Sequence, residues 1–483
     1  MIGFSLKGHR FLYDVQTMLQ VFYPNSNYYE VEEIQMSKIT VISELSDTFT
    51  YGAIYIDGKL KVEKRCEVAG SPISTRQKKR LIKLSLYLCL KEVTGYEPKW
   101  GIVTGIRPAK VVNELIDLGH DEGFIKKMLM TGYLAGEDKA DLAITVAKAE
   151  HSILSKNQKG DFSLYIGIPF CPTRCLYCSF TSSPLDRYKN VVDLYLDKLI
   201  EELEFVADNV DKNKLMTIYV GGGTPTSLNE EQLKRLLEKI DRLFDVKNIS
   251  EYSVEAGRPD TITKEKLSIM KQNYVSRISI NPQTMNHKTL ETIGRQHSVD
   301  DVKLVYAMAE ELGFDNINMD LILGLPNETI KDVEFTMKEI LKLNPSSLTV
   351  HTLAIKRASR LKENLDDYSF VNVELMEDML KLGNEYANKM AMKPYYMYRQ
   401  KNTIGNFENI GYCKAGYECI YNVEIMEEKQ TIIAVGAGST SKIYDSDTNQ
   451  VSRVFNVKSV EDYLSRFDEM LDRKCRGIFE KCQ

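Results

Sequence analysis

No stretch of this sequence stays apolar for the roughly 20 residues that a transmembrane helix needs. The N-terminus, from Met1 to Arg10, lacks the basic start, apolar run and small-residue cleavage site of a secretory signal. No charge of one sign prevails: 63 basic and 68 acidic residues are interspersed, for a net charge of −5. That balance leaves no electrostatic footprint for DNA or RNA, although a local basic pocket for an acidic small molecule stays open. Internal repeats and low-complexity segments are absent. Tryptophan occurs once, at Trp100, and histidine six times, the last at His351. Cysteine is present nine times, an odd number, which argues against a disulfide framework in so large a chain. Together these features predict a cytoplasmic protein with no membrane span and no nucleic-acid partner. Its cysteines then serve a metal, redox chemistry or the core.

What is present is ordinary globular composition: 483 residues, 43% hydrophobic and 27% charged, enough for two to four domains. Residues 1–155 read as a separate α/β region of unknown role. Strands are predicted at 39–42 and 51–56, the second closed by the hairpin turn Asp57-Gly58. Helical periodicity marks 78–93, 109–118 and 138–154. Residues 100–108 are punctuated by glycine, which suits either a ligand loop or, more commonly, a tight turn on a packed strand.

From residue 163 the rhythm changes. Apolar strands are predicted at 164–168, 216–220, 252–255, 276–280, 317–323 and 347–353. Helices near 191–208, 229–244, 264–271, 300–312 and 330–343 separate them. Six strands with helical crossovers imply a parallel sheet, open or curled into part of a barrel, across 160–355. Beyond it, 356–483 read as an α+β region covering the site, with helices at 371–390 and 460–471 and strands at 395–398, 421–426 and 431–435.

The segment Tyr165-Ile-Gly-Ile-Pro-Phe-Cys171-Pro-Thr-Arg-Cys175-Leu-Tyr-Cys178 packs three cysteines into a loop just after the first of these strands. Thiolates hold iron–sulfur clusters. Three of them bind three irons of a cubane and leave the fourth open to chelate the amino and carboxylate groups of S-adenosylmethionine (SAM). One electron from the reduced cluster then breaks a carbon–sulfur bond and releases a deoxyadenosyl radical. A zinc site would want a fourth ligand, and the flanking histidines, His151 and His287, are distant in sequence. Cys413, Cys419, Cys475 and Cys482 match no ligand spacing and read as ordinary core or surface thiols.

Polar residues recur at the carboxyl ends of the later strands. The second ends in Gly221-Gly222-Gly223-Thr224, the third in Glu255, and the fourth runs to Gln283. The fifth carries Asp320 and the sixth His351. Each alone is a plausible cap or turn residue; in series beside a cluster motif they mark the edge where α/β folds place their sites.

At these residues the sequence resembles the oxygen-independent coproporphyrinogen III dehydrogenases of the radical SAM superfamily, and most of all their HemZ-type branch with its extra N-terminal region. The markers are the Ile-Pro-Phe-Cys lead-in, the Gly-Gly-Gly-Thr-Pro-Thr turn, Asn318-Met-Asp-Leu-Ile-Leu-Gly-Leu-Pro326 and Tyr396-Met-Tyr-Arg-Gln-Lys-Asn402. The resemblance implies a partial (β/α)6 barrel and a [4Fe–4S] cluster on Cys171, Cys175 and Cys178. It implies SAM contacts at Tyr165, Tyr177, Gly222, Gly223, Thr224, Glu255, Gln283, Arg295 and Asp320. Gly436-Ala-Gly438-Ser439 loosely matches the family's second SAM site. Against that, Gly167 stands where the well-studied branch has a histidine.

The implied reaction is oxidative decarboxylation of coproporphyrinogen III propionates to vinyls, with a reductant such as flavodoxin or ferredoxin and an electron acceptor unknown. Arg399 and Lys401, in an aromatic-rich basic segment, are the candidate propionate contacts. Alternatives are a radical SAM enzyme that methylates or opens another tetrapyrrole, and a heme-binding or delivery protein. The related heme chaperones carry a His-Asn-x-x-Tyr-Trp motif in their C-terminal part. That motif cannot exist here, because His351 is the last histidine and Trp100 the sole tryptophan.

Overall fold

The computed structural model describes every residue except 25, 69–72, 179–182, 357–358, 364, 401–402 and 480–483. The chain divides into two compact units, Met1–Ala147 and Lys148–Gln483. The division falls inside the helix Glu137–Leu154, just before the border expected at 155.

The first unit is a five-stranded sheet of β1 (Ile2–Lys7), β2 (Tyr28–Glu30), β3 (Ile39–Leu45), β4 (Phe49–Ile56) and β5 (Lys59–Glu67), in the order β2-β1-β3-β4-β5. Asp57 and Gly58 both take left-handed φ, 49° and 75°, the pair that a tight β4–β5 hairpin requires. The helix Thr75–Thr94 starts on a Ser74/Gln77 capping box and stops at left-handed Gly95. Its Leu86, Tyr87 and Leu90 join Met18 and Leu19 of the helix Leu12–Phe22 over Phe4 and Val41 of the sheet. Trp100 is buried, as a packed turn requires.

The second unit is built on an eleven-stranded sheet. Its parallel core is β6 (Phe162–Ile168), β9 (Leu215–Gly222), β10 (Glu251–Gly257), β11 (Arg277–Ile280), β12 (Ile317–Leu323) and β13 (Ser347–Thr352), neighbours in that order. Two short segments, β7 (Phe170–Cys171) and β8 (Ser183–Pro184), pair with each other above β6. The crossover helices are amphipathic for a plain reason: Glu230–Leu243 sets Leu233, Leu236, Leu237 and Ile240 on one face, and all four are fully buried. Continuous apolar strands buried on both sides and helical crossovers are the pattern of a partial α/β barrel.

Residues beyond 356 continue that sheet at both edges. β15 (Glu408–Cys413) pairs antiparallel with β13, and β14 (Lys393–Arg399) pairs antiparallel with β15 at the edge. β16 (Thr431–Val435) runs parallel to β6 and leads to β17 (Thr440–Asp445) and β18 (Gln450–Phe455). β9 and β14 are distant in strand order, yet Tyr219 and Tyr396 line one cavity, so the sheet curls. Among the described residues it does not close.

One expected strand is a helix. Residues 421–426 lie in the helix Ile420–Glu427. The alternation of Tyr421, Val423 and Ile425 reads as β, but a distant carboxylate decides the outcome. Glu251 of β10 accepts from the amides of Ile420 at 2.8 Å and Tyr421 at 3.4 Å. It thereby caps the helix N-terminus, where an anion is most favourable. The expected helix 460–471 is broken into Val460–Ser465 and Phe467–Lys474 at Arg466. Among the described residues no helix is long and apolar enough to cross a membrane.

Candidate functional site

A cavity of about 340 Å3, open to solvent on one side, occupies the concave side of the curled sheet. The cysteine loop forms one wall. Its two ends are tied by β7–β8 pairing and by the Ser183 amide on the Pro169 carbonyl at 2.8 Å. Its middle is pinned at Leu176, whose amide donates to Ile293 O and whose carbonyl accepts from the Leu361 amide, both at 3.0 Å. Leu176 also packs with Leu290, Ile293 and Leu361. Cys171, Cys175 and Cys178 line the cavity without closing on a single point. A cubane, unlike a lone ion, takes its thiolates at separate corners.

The Gly-rich turn after β9 lies directly against that loop. The Gly223 amide donates to Ile168 O at 2.7 Å and the Thr224 amide to Phe170 O at 2.8 Å, while the Thr224 hydroxyl lies 3.5 Å from Cys171 Sγ. A Cβ on Gly223 would stand 2.5 Å from Phe170 O and 3.0 Å from Cys171 Sγ. Only glycine fits here.

Tyr177, Glu255, Gln283, Arg295 and Asp320 converge on the same cavity. Arg295 Nη2 donates to the Tyr177 hydroxyl at 2.9 Å, while its Nε and Nη1 are buried with no partner among the described residues. Gln283 Oε1 and Asn281 Oδ1 are in the same position. Gln283 sits at φ 68°, held there by its amide on Asp320 O at 2.9 Å and its carbonyl under the Ile322 amide at 3.0 Å. Buried polar atoms left unpaired within a chain are costly unless a ligand pairs them. Orphan guanidinium nitrogens suit an anionic carboxylate and orphan amide oxygens suit an ammonium or hydroxyl. Beside them lie three thiols and a glycine cradle, so the donor set fits a cluster with a zwitterionic, hydroxyl-bearing ligand.

The two acids are driven apart. Burial, then the charge of Asp320, pushes Glu255 up to about 7 against the pull of the Gly222 amide and the Tyr219 hydroxyl. Burial also acts on Asp320. There, hydrogen bonds from His351, Asn318 and Thr349 outweigh it and hold the group below the usual carboxylate range. His351 Nε2 lies 3.8 Å from Asp320, and its Nδ1 lies 3.2 Å from the Tyr398 hydroxyl, which accepts from Gln400 at 3.3 Å. Tyr165 stands behind this lining, stacked with Tyr219 and Tyr421 at 6.2 Å from each.

Two expectations, Arg399 and the Gly436 turn, need correction. Arg399 is not in the cavity wall. The period-two alternation of β14 turns Tyr396, Tyr398 and Gln400 inward, and Arg399 Nε donates instead to Asn406 O at 2.8 Å. Lys401 lies outside the described residues. Gly436 and Gly438 are away from the cavity, and their amides are taken at 2.7 Å by Glu202 and by Val457 O. A Cβ on Gly436 would meet Gly167 O at 2.5 Å and the Tyr195 hydroxyl at 2.6 Å. Both amides of this turn are thus satisfied within the chain, and the turn packs closely against Gly167.

Sequence reasoning marked Asn281 at a strand end without giving it a role, and missed Arg258, Tyr398 and Gln400 as cavity residues. The alternation in β14 was a usable signal for Tyr398 and Gln400. Arg258 gave none beyond its place after a turn glycine.

The Radical SAM superfamily model matches residues 165–340. The oxygen-independent coproporphyrinogen-III oxidase-like protein HemZ of Bacillus subtilis is 41% identical over 414 residues, 84% of this chain and 83% of that protein. The heme chaperone HemW of Bacillus subtilis is 34% identical over 308 residues, 64% of this chain and 76% of its own length. The solved structure of the Escherichia coli coproporphyrinogen III oxidase HemN, a radical SAM enzyme, superposes with a TM-score of 0.51 at 22% identity. It covers 67% of this chain and 73% of that one, a likeness of fold. The chain therefore belongs to the radical SAM superfamily, in the group that includes HemZ of Bacillus subtilis, with the superfamily's cofactors, a [4Fe–4S] cluster and SAM.

Proposed function

We propose that this protein is a cytoplasmic radical SAM oxidoreductase that converts propionate side chains of coproporphyrinogen III to vinyls, giving protoporphyrinogen IX without oxygen. The observation that carries the reading is one cavity in which the cysteine loop and the glycine cradle meet Arg295 and Gln283, whose Nε, Nη1 and Oε1 have no partner among the described residues, in a chain kin to HemZ. Cys171, Cys175 and Cys178 would hold three irons. Bound together, the cluster and SAM supply a one-electron cleavage that yields a hydrogen-abstracting species.

The chain's own residues do the rest. Gly222, Gly223 and Thr224, packed against the cysteine loop, would leave room for the cofactor there, and Arg295 would offer Nε and Nη1 to the methionine carboxylate. Glu255 and Asp320 would accept from the ammonium and ribose hydroxyls, and Tyr177 would offer an aromatic face to the adenine. The curled sheet and the tyrosine wall keep water from a reactive centre. Each propionate loses one hydrogen atom, then CO2 and one electron. A one-electron donor such as flavodoxin or ferredoxin supplies the incoming electron, and a separate one-electron acceptor takes the outgoing one.

The test is anaerobic incubation of the reconstituted protein with SAM, dithionite and coproporphyrinogen III, read by mass spectrometry. Loss of two CO2 per macrocycle is the expected result. A methylated or ring-opened product would assign a different tetrapyrrole chemistry. The kinship to HemW motivates a heme-delivery reading; a stable heme complex without SAM cleavage would establish it in place of decarboxylation.

A further inference from the structure

Arg258 lies at the wall of the cavity behind Cys175, and no part of the reaction above uses it. Left-handed Gly257, φ 66°, turns the chain sharply after β10, and Pro259 fixes the next step. The Arg258 side chain is thereby aimed back under the cysteine loop and is only 4% exposed. Every nitrogen of its guanidinium is engaged. Nε donates to Asp260 Oδ1 at 3.1 Å and Nη2 to Asp260 Oδ2 at 2.8 Å, a bidentate fork. Nη1 donates to Thr173 O at 3.0 Å and Thr173 Oγ1 at 2.8 Å, and points to Cys175 Sγ at 3.9 Å. His297 closes the far side of Asp260 at 3.7 Å. A buried cation is thus pinned by four bonds in contact with one of the three thiols.

We propose that Arg258 is a positioning residue for the iron–sulfur centre: it orients the Cys175 thiolate and raises the reduction potential of the cluster. Reduction adds an electron to an already anionic assembly. A buried positive N–H donor at a ligating sulfur stabilises the reduced form more than the oxidised one, and in a low-dielectric site that difference is weakly screened. Asp260 acts twice. It locks the plane of the fork, and its own charge offsets part of the effect. The proposal rests on the reading that these three cysteines hold the cluster, and is independent of which tetrapyrrole is the substrate.

The test is a potentiometric titration, followed by electron paramagnetic resonance, of the full-length reconstituted protein without SAM. Arg258→Met should make cluster reduction at least tenfold less favourable, a midpoint lowered by about 59 mV for one electron. Arg258→Lys, which keeps the charge but loses the fork, should fall between that variant and wild type. Asp260→Asn should move the midpoint upward, because it removes the opposing charge. An Arg258→Met protein with wild-type iron and sulfide content and an unmoved midpoint overturns the proposal. Should that variant fail to load, unmoved midpoints in both Arg258→Lys and Asp260→Asn overturn it equally, and shifts in the stated directions support it. Iron and sulfide content of Cys175→Ala separates the two layers: loss of the cluster keeps the foundation, whereas full loading removes the cysteine assignment and this proposal with it.

Discussion

Arg295 states the residue-scale logic of the site most directly. Two of its nitrogens are buried with no partner among the described residues, and such a deficit is tolerable only if a ligand removes it. Arg295→Ala should weaken SAM binding by about 1.5–3 kcal/mol, the usual worth of a hydrogen bond to a charged group. Anaerobic calorimetry on the reconstituted protein measures it, and an unchanged affinity would take the guanidinium away from the carboxylate. Gly223 makes the complementary argument from space. The atom nearest to its missing Cβ, at 2.5 Å, is the Phe170 carbonyl oxygen, and backbone in a paired segment cannot retreat. Gly223→Ala should cut iron content per chain several-fold while far-ultraviolet circular dichroism stays at wild type. Full loading would show that the two loops yield more readily than their hydrogen bonds suggest. Gly223 was legible in sequence because its signal is local, a glycine run at a strand end, whereas Arg295 came only through the family resemblance. Arg258 was not legible, since its role depends on a contact with Thr173 and Cys175 across 85 and 83 positions of chain.

At the scale of elements, the parallel core was readable and its flanks only in part: β14, β16 and the helix Val373–Lys389 stand where the sequence predicts them, whereas β15, β17 and β18 were not expected. β6 and β9 to β13 are buried on both faces and so announce themselves as apolar runs. β17 and β18 lie at the edge, where Ser441, Lys442, Ser452 and Arg453 interrupt the pattern. The helix Ile420–Glu427 was misread because Glu251, which caps it, comes from β10. A second long-range carboxylate binds the C-terminal flank to the core. Glu202, fully buried on the helix Val192–Asp208, accepts from Gly436 N at 2.7 Å, Asn456 Nδ2 at 2.8 Å and the Tyr463 hydroxyl at 2.6 Å. It pairs with Lys474 at 2.6 Å, and the two side chains are 0% and 1% exposed. This is the network that occupies the Gly436 turn. Lys474→Met strands the Glu202 charge and should cost about 3–5 kcal/mol. The denaturant midpoint should fall accordingly, and Glu202→Gln added to Lys474→Met should recover part of the loss. A single variant with wild-type stability would mean that water reaches Glu202.

Over the whole molecule, buried acids set how stability varies with pH. Burial pushes Glu255, Glu328 and Glu424 each up to about 7 from 4.5. The sign is opposite to that of a salt-bridged carboxylate. Between 4.5 and 7 the folded chain still holds protons that the unfolded chain has released, so stability falls as pH rises through this window. The contribution is fully favourable below 4.5 and lost above 7. Glu424 isolates the effect, because it lies outside the cavity and is fully buried. Asn157 Nδ2 donates to its Oε1 at 2.8 Å, and its Oε2 has no partner among the described residues. Glu424→Gln keeps the acceptor for Asn157 and removes the charge. The variant should be more stable than wild type at pH 8 by up to about 3 kcal/mol, the free energy of a shift of this size. At pH 4, where the carboxyl is protonated in both states, the two proteins should unfold together. Urea midpoints at the two pH values measure the difference, with equal denaturant slopes as the check that only the folded state changed. An offset of the same size at both pH values would trace the gain to packing rather than to the proton.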